Sequence, residues 1–376
     1  MAISAQGIIF SSLNDNTLSR LTSDRTVAAI PFACRYRLVD FCLSSMVNAN
    51  ISNINIVANY NYRSLKEHIG SGKDWDLARR HSGVNIISPY ATATSASAKV
   101  FSTHMEALKN MKVYIDEFKE DFVVMMDSDF VLNIDLESVI KTHSMTHADI
   151  TVVTHKVDKG YSSKHPRIML SSVAGRITDI AMSDTYNERN PELCLNVFVM
   201  RTEFLKKIIE EADAYNINSL TQMLQRTFKS SDYRTYPYSG YVGTVSSFLD
   251  YYKCSMDLAK NEKARESLLF KKEAPVYTKV HNSSPAVYKK SAKVENSMIA
   301  DECVIEGEVI NSVLFRGVRV EKGAVVKNSV LFRGTRVCEG ARVNCIVTDK
   351  DVLVSEGVTL SGNDNMPFYV QKGRKV

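Results

Sequence analysis

Short apolar runs rich in β-branched residues alternate with longer stretches of helical period through the first two thirds of the chain. Gly7–Phe10, Ile54–Ala58, Val84–Ile87, Phe122–Met126, Ile150–His155 and Leu195–Met200 have the length and composition of buried strands. Between them Leu38–Val47, Tyr62–Ile69, Met105–Phe118, Leu136–His147 and Glu203–Ala214 place apolar residues on one helical face. Strands alternating with helices predict an α/β unit whose mostly parallel sheet is covered on both faces. Ligands in such sheets sit beyond the carboxyl ends of the strands, which directs attention to the segments after Phe10, Ala58, Ile87 and Met126.

A further helical stretch is expected over Ser246–Leu269, then a linker around Lys272–Ser284 with Pro275 and Pro285 nearby. These signals divide the chain into an α/β domain over 1–270, a linker over 271–284 and a second domain over 285–376. In the second domain the pattern becomes a short repeat. Val304-Ile305-Glu306-Gly307, Val320-Glu321-Lys322-Gly323, Val337-Cys338-Glu339-Gly340 and Val354-Ser355-Glu356-Gly357 recur with glycines 16, 17 and 17 residues apart. The text between them repeats too, since Asn311–Gly317 and Asn328–Gly334 read almost alike. Apolar residues return about every six positions, the hexapeptide signature of a parallel β-helix with three sides per coil. Each glycine turns a corner that Cβ-bearing residues resist.

With 376 residues, 44% of them hydrophobic and 24% charged, the composition is that of a globular protein with two cores. No apolar run approaches the ~20 residues of a membrane span, and the opening Met-Ala-Ile-Ser-Ala-Gln-Gly lacks a signal-peptide pattern, so a cytoplasmic location is expected. A net charge of +5, with basic and acidic residues interleaved, favours small anions over nucleic acid. The seven cysteines lack any C-x-x-C pair and read as reduced, packed thiols.

Architecture of this kind is shared by several sugar-phosphate nucleotidyltransferases, and particular residues choose among them. Ile30-Pro31-Phe32-Ala33-Cys34-Arg35-Tyr36-Arg37-Leu38-Val39-Asp40-Phe41, followed by Cys42-Leu43-Ser44-Ser45-Met46-Val47-Asn48, resembles the (Y/F)-R-(L/I)-(I/V)-D-(F/I) and L-S-N-x-x-N stretch of bacterial glucose-1-phosphate adenylyltransferases (ADP-glucose pyrophosphorylases). The likeness continues through Ile51–Ile54 and Asn59–Ile69. It implies a Rossmann-like nucleotidyltransferase domain followed by a left-handed β-helix. It also implies a reaction joining ATP and glucose 1-phosphate into ADP-glucose with release of diphosphate.

That reaction brings two anions together, so a site must supply positive charge and backbone donors where negative charge builds. In active relatives three devices do so: a glycine-rich loop, lysines aimed at phosphates, and two aspartates holding Mg²⁺. Each is altered here. The G-G-x-G-(T/S)-R-L loop is replaced by Ser11-Ser12-Leu13-Asn14-Asp15-Asn16-Thr17-Leu18-Ser19-Arg20-Leu21, without a glycine. K-R-A-K-P becomes Asp24-Arg25-Thr26-Val27-Ala28, and (F/Y)-x-E-K-P becomes Ile180-Ala181-Met182-Ser183-Asp184. Gly-Thr-Ala beside the adenine pocket becomes Phe101-Ser102-Thr103-His104. Asp129 keeps the metal-binding aspartate of the G-D-H turn, but Tyr241 stands where the D-V-G-T turn has its aspartate. A two-carboxylate Mg²⁺ site is thereby broken and Asp129 is vestigial.

The resemblance therefore points to a GlgD-type degenerate subunit: no catalysis and no cofactor of its own, with Mg²⁺ in a catalytic homologue that is its partner in a hetero-oligomer, a tetramer as in the family. Arg25, Arg35 and Arg37 lie on the loop that in this family faces the β-helix, and Asp349-Lys350 matches its effector-binding pair. These four cations, Lys350 included, are expected to clamp a phosphorylated effector or else to form structural ion pairs. Two other readings compete: an active adenylyltransferase with remodelled loops, and a β-helix acyltransferase. The latter commonly uses a histidine on a coil, and none follows His281.

Overall fold

The computed structural model describes residues 4–11, 18–78, 82–89, 100–157, 161–186 and 191–376, with the backbone alone at 161–164 and 186. Nine strands form one sheet. They are β1 (Ala5–Phe10), β2 (Asn53–Val57), β3 (Gly83–Ile87), β4 (Phe122–Asp127), β5 (Ile150–Lys156), β6 (Tyr161–Val173), β7 (Arg176–Tyr186), β8 (Glu192–Arg201) and β9 (Tyr233–Pro237). In space their order is β3-β2-β1-β4-β8-β5-β9-β7-β6. From β3 to β4 every pairing is parallel, whereas β8 runs antiparallel to both β4 and β5. Beyond them β9 lies parallel to β5, and the β6–β7 hairpin closes that edge. The sheet is thus parallel from β3 to β4 and mixed elsewhere.

Alternation of side chains along the strands divides the core in two. Ile9, Val124 and Met126 pack with Val39, Leu43 and Met46 of α1 (Leu38–Asn48) and Val139 and Ile140 of a helix over Leu136–Thr146. Ile8, Phe10, Val123 and Met125 face the other way, against Met105 and Leu108 of a helix over His104–Asn110 and Leu205 and Ile208 of one over Thr202–Ala214. Asp40 caps α1 by accepting the Arg37 N–H at 3.0 Å, and the dipole at that end favours its negative charge. No helix among the described residues is long and apolar enough to cross a membrane.

The second domain is the expected β-helix. Three parallel sheets of five strands stack coil on coil, with Val304, Arg319, Arg336 and Leu353 in successive register. Ile305, Val320, Val337 and Val354 fill its axis. Gly323, Gly340 and Gly357 turn corners at φ +73°, +68° and +70°, a region L side chains resist. Other corners use Asn311 and Asn328 at φ 48° and 45°. Their amides form a ladder, Asn311 to Asn328 at 3.3 Å and Asn328 to Asn344 at 3.0 Å. All seven cysteines are free thiols, five of them buried.

The two domains share a core. From α2 (Phe248–Lys260), Tyr251 and Tyr252 pack with Phe315, Val330 and Phe332, and the Tyr252 hydroxyl donates to the Asn328 carbonyl at 2.8 Å. The irregular segment between the domains is tied to the first by Asn48, which donates to the Pro275 carbonyl, and by Ser44, which pairs with Tyr277.

Candidate functional site

Two clusters of charged residues stand at the positions the sequence singles out. The first lies at the carboxyl end of β4. Asp127 ends that strand, and its carboxylate lies 2.8 and 3.0 Å from His104 Nε2. Asn196 donates to the same carboxylate at 2.8 Å, aimed there by a bulge in β8 that puts Asn196 at φ 52°. Burial disfavours the His104 imidazolium, but the Asp127 carboxylate outweighs it and raises the pKa.

Two residues on, Asp129 is 8% exposed and receives a hydrogen bond at 3.2 Å from Arg167 Nη1, on β6. The Arg167 guanidinium lies 4.8 Å from the Phe130 ring centroid and is itself buried. Among the described residues, Asp129 Oδ1, Arg167 Nε and Arg167 Nη2 are buried without hydrogen-bond partners. Burial raises the Asp129 pKa against the opposing pull of Arg167.

Tyr241 does not face this carboxylate. It precedes Gly243–Thr244, which pairs with Phe130–Val131. Burial, then Cys254 and Asp257, push its phenol far above the usual range. A Cβ at Gly243 would lie 3.2 Å from Cys254 Sγ, so a larger residue there would have to displace that sulfur by a few tenths of an ångström. The Mg²⁺ that the related fold implies does not fit these residues: one carboxylate already holds a guanidinium, and the other position is a half-buried tyrosine. Among the described residues no group of three His, Cys, Asp or Glu could hold a metal ion.

Other altered segments take structural places. Phe101 is buried and bonded through its N–H and carbonyl to Asn59 at 3.0 and 2.9 Å, which sets His104 over the strand ends. Val27 is fully buried, Asp24 lies 3.7 Å from Lys372, and Asp184 is exposed on β7. The central part of the first loop, with Leu13 and Asp15, lies outside the described residues.

The second cluster lines a cavity of about 150 Å³ at the domain junction. Arg35, Arg37, Arg316, Arg333 and Lys350 surround it, with His68 and His281, against the single carboxylate of Glu302. Consecutive left-handed residues, Ala33 at φ 47° and Cys34 at 60°, hold the turn that carries Arg35. Arg37 Nη1 donates to the Ser64 carbonyl and hydroxyl at 2.6 and 2.9 Å, and burial lowers its pKa to about 10. Lys350 is lowered to about 8 by burial and by the nearby charges of Arg25 and Arg37. His68 sits 2.6 Å from Asp40, joining the cavity wall to the start of α1.

Of the four cations named from sequence, Arg35, Arg37 and Lys350 meet at this cavity and Arg25 does not line it. Arg25 is 2% exposed, and its Nη2 donates to both Asp349 oxygens at 2.8 and 3.0 Å. Tyr369 completes that carboxylate at 2.9 Å. Sequence reasoning missed Arg316 and Arg333, although the repeat contains the signal: Phe-Arg-Gly recurs 17 residues on, which stacks both arginines on one edge. It also missed Arg167, whose separation from Asp129 only the sheet order closes.

An α/β cleft of this topology followed by hexapeptide coils defines a nucleotidyltransferase-type chain. Residues 7–180 match the nucleotidyl transferase family, and 280–371 the GlmU-like C-terminal hexapeptide family. The glycogen biosynthesis protein GlgD of Bacillus subtilis (strain 168) is 34% identical over 371 residues, 98% of this chain and 95% of that protein. Its counterpart in Geobacillus stearothermophilus is 34% identical over 370 residues, 98% and 96%. The glucose-1-phosphate adenylyltransferase of Geobacillus stearothermophilus is 30% identical over 319 residues, 82% and 80%. The chain belongs to the GlgD family, within the wider group that includes the glucose-1-phosphate adenylyltransferases.

Proposed function

We propose that this chain is a regulatory partner subunit of an ADP-glucose-forming complex in glycogen synthesis, without turnover of its own. The observation that carries the reading is the junction cavity, where five basic side chains face one carboxylate. A site so charged suits a phosphorylated metabolite and gains affinity from fixed guanidinium forks. Its walls come from both domains, so an anion that prefers one arrangement of them would bias the assembly toward that arrangement. The catalytic homologue supplies Mg²⁺ and the reacting groups, and the mixed assembly is a tetramer. Open coil ends, where Val287 and Tyr288 are 47% and 54% exposed, support association through the β-helix.

Two assays test this. Purified chain with ATP, Mg²⁺ and glucose 1-phosphate is expected to form no ADP-glucose; turnover near ~10 s⁻¹, a common enzyme value, would refute the reading. In a mixed complex, Asp129→Ala in this chain is expected to leave the maximal rate unchanged, whereas the equivalent change in the catalytic homologue abolishes it.

A further inference from the structure

We infer that Arg167 is a built-in counter-ion that takes the divalent cation's place at Asp129 and closes the cleft of this chain to metal. The inference rests on the reading that the chain has no catalysis of its own, and it names the residue that enforces this. Asp127 and Asp129 stand at the carboxyl end of the central strand, where open α/β sheets present ligands. Two neighbouring carboxylates there, both at least nine-tenths buried, require compensation. Asp127 obtains it from His104 and Asn196. Asp129 obtains it chiefly from Arg167, through one bond of 3.2 Å, with His104 a lesser neighbouring charge.

The geometry resembles a substitution rather than an optimised ion pair. A guanidinium can grip a carboxylate through two parallel bonds, yet only Nη1 engages, while Nε and Nη2 stay buried and unpartnered among the described residues. Asp129 Oδ1 is likewise unpartnered. Phe130 supports the guanidinium face from 4.8 Å. A divalent ion at Asp129 would meet a fixed positive charge at hydrogen-bond distance from its ligand oxygen, in a site too buried for water to screen it.

The chain's metal binding can be read by electron paramagnetic resonance of Mn²⁺, with circular dichroism as the check of folding. Full-length wild type is expected to bind no Mn²⁺ that Asp129→Asn abolishes. Arg167→Met, which keeps bulk and removes charge, is expected to bind Mn²⁺ weakly through Asp129, since the position of Tyr241 still lacks a carboxylate and water must fill the ion's remaining positions, and Arg167→Met/Asp129→Asn to lose it. Arg167→Lys, which keeps the charge, is expected to exclude the ion as wild type does. Should Arg167→Met fold only when Mn²⁺ is added, the ion has replaced the guanidinium and the inference stands. It is overturned if wild type binds an Asp129-dependent Mn²⁺, if Arg167→Lys admits the ion, or if folded Arg167→Met binds none. It is also overturned if Arg167→Met fails to fold with or without metal. These outcomes concern the isolated chain and are separate from whether it modulates a partner.

Discussion

Lys350 makes the junction cavity responsive to pH. Its folded pKa of about 8 lies below the ordinary 10.5, so its proton is lost within an accessible range. An anion binds the protonated amine; affinity for inorganic phosphate is therefore expected to hold below about pH 8 and to fall as pH rises past it. Lys350→Arg stays charged and should flatten that fall, as calorimetric titration across the range would record. Without ligand the sign reverses. Stability is lowest while the half-buried amine is charged and rises between about pH 8 and 10.5, and Lys350→Met removes that rise. The Arg25–Asp349 pair behaves differently because both groups are almost wholly buried. Either single change to Ala leaves the other charge stranded and is expected to cost about 3–5 kcal/mol in urea unfolding. Arg25→Met/Asp349→Leu should cost less than the sum of the two. The motif identified Asp349-Lys350 as a pair, but only packing shows that one member binds the domains together and the other faces the cavity.

At the scale of elements, the Asn ladder and α2 fix how the coils stack and where they sit. Asn328 combines a left-handed backbone, two ladder bonds and the carbonyl that receives Tyr252. Asn328→Ala is expected to destabilise the β-helix by about 2 kcal/mol, from backbone strain and lost amide bonds, and Asn328→Gly by less. Phe332→Ala, which empties the shared core, should cost about 3–5 kcal/mol. Elements buried on a periodic face were legible in the sequence: β1, β2, β4, β5 and α1 fall within a few residues of their expected bounds. Those exposed on one side were not. β7 reads Arg-Ile-Thr-Asp-Ile-Ala-Met-Ser-Asp-Thr-Tyr, with polar residues throughout and Met182 50% exposed, and β9 carries Arg234 and ends in Pro237. The stretch expected as one helix over Met105–Phe118 breaks at Met111, and Ser246–Leu269 breaks at Asn261, which caps the second segment through its side chain. Coil spacing was legible because each repeat must match its neighbour, whereas the contact between Arg167 and Asp129 depends on tertiary placement alone.

Across the whole molecule, Asp129 at the strand ends is held by Arg167 while the junction between domains gathers five basic side chains around one carboxylate. That division of labour suits a subunit that responds to an anion and acts on a neighbour. The measurement that tests it most directly is ADP-glucose synthesis by a catalytic homologue from the same cell, alone and co-expressed with this chain. Size-exclusion chromatography would establish co-elution, and phosphorylated metabolites would be titrated into each sample. The expected result is a co-eluting assembly whose maximal rate or effector response differs from that of the homologue alone, with the effector difference reduced by Lys350→Met. Separate elution, with rates and effector responses identical to those of the homologue alone, would contradict it.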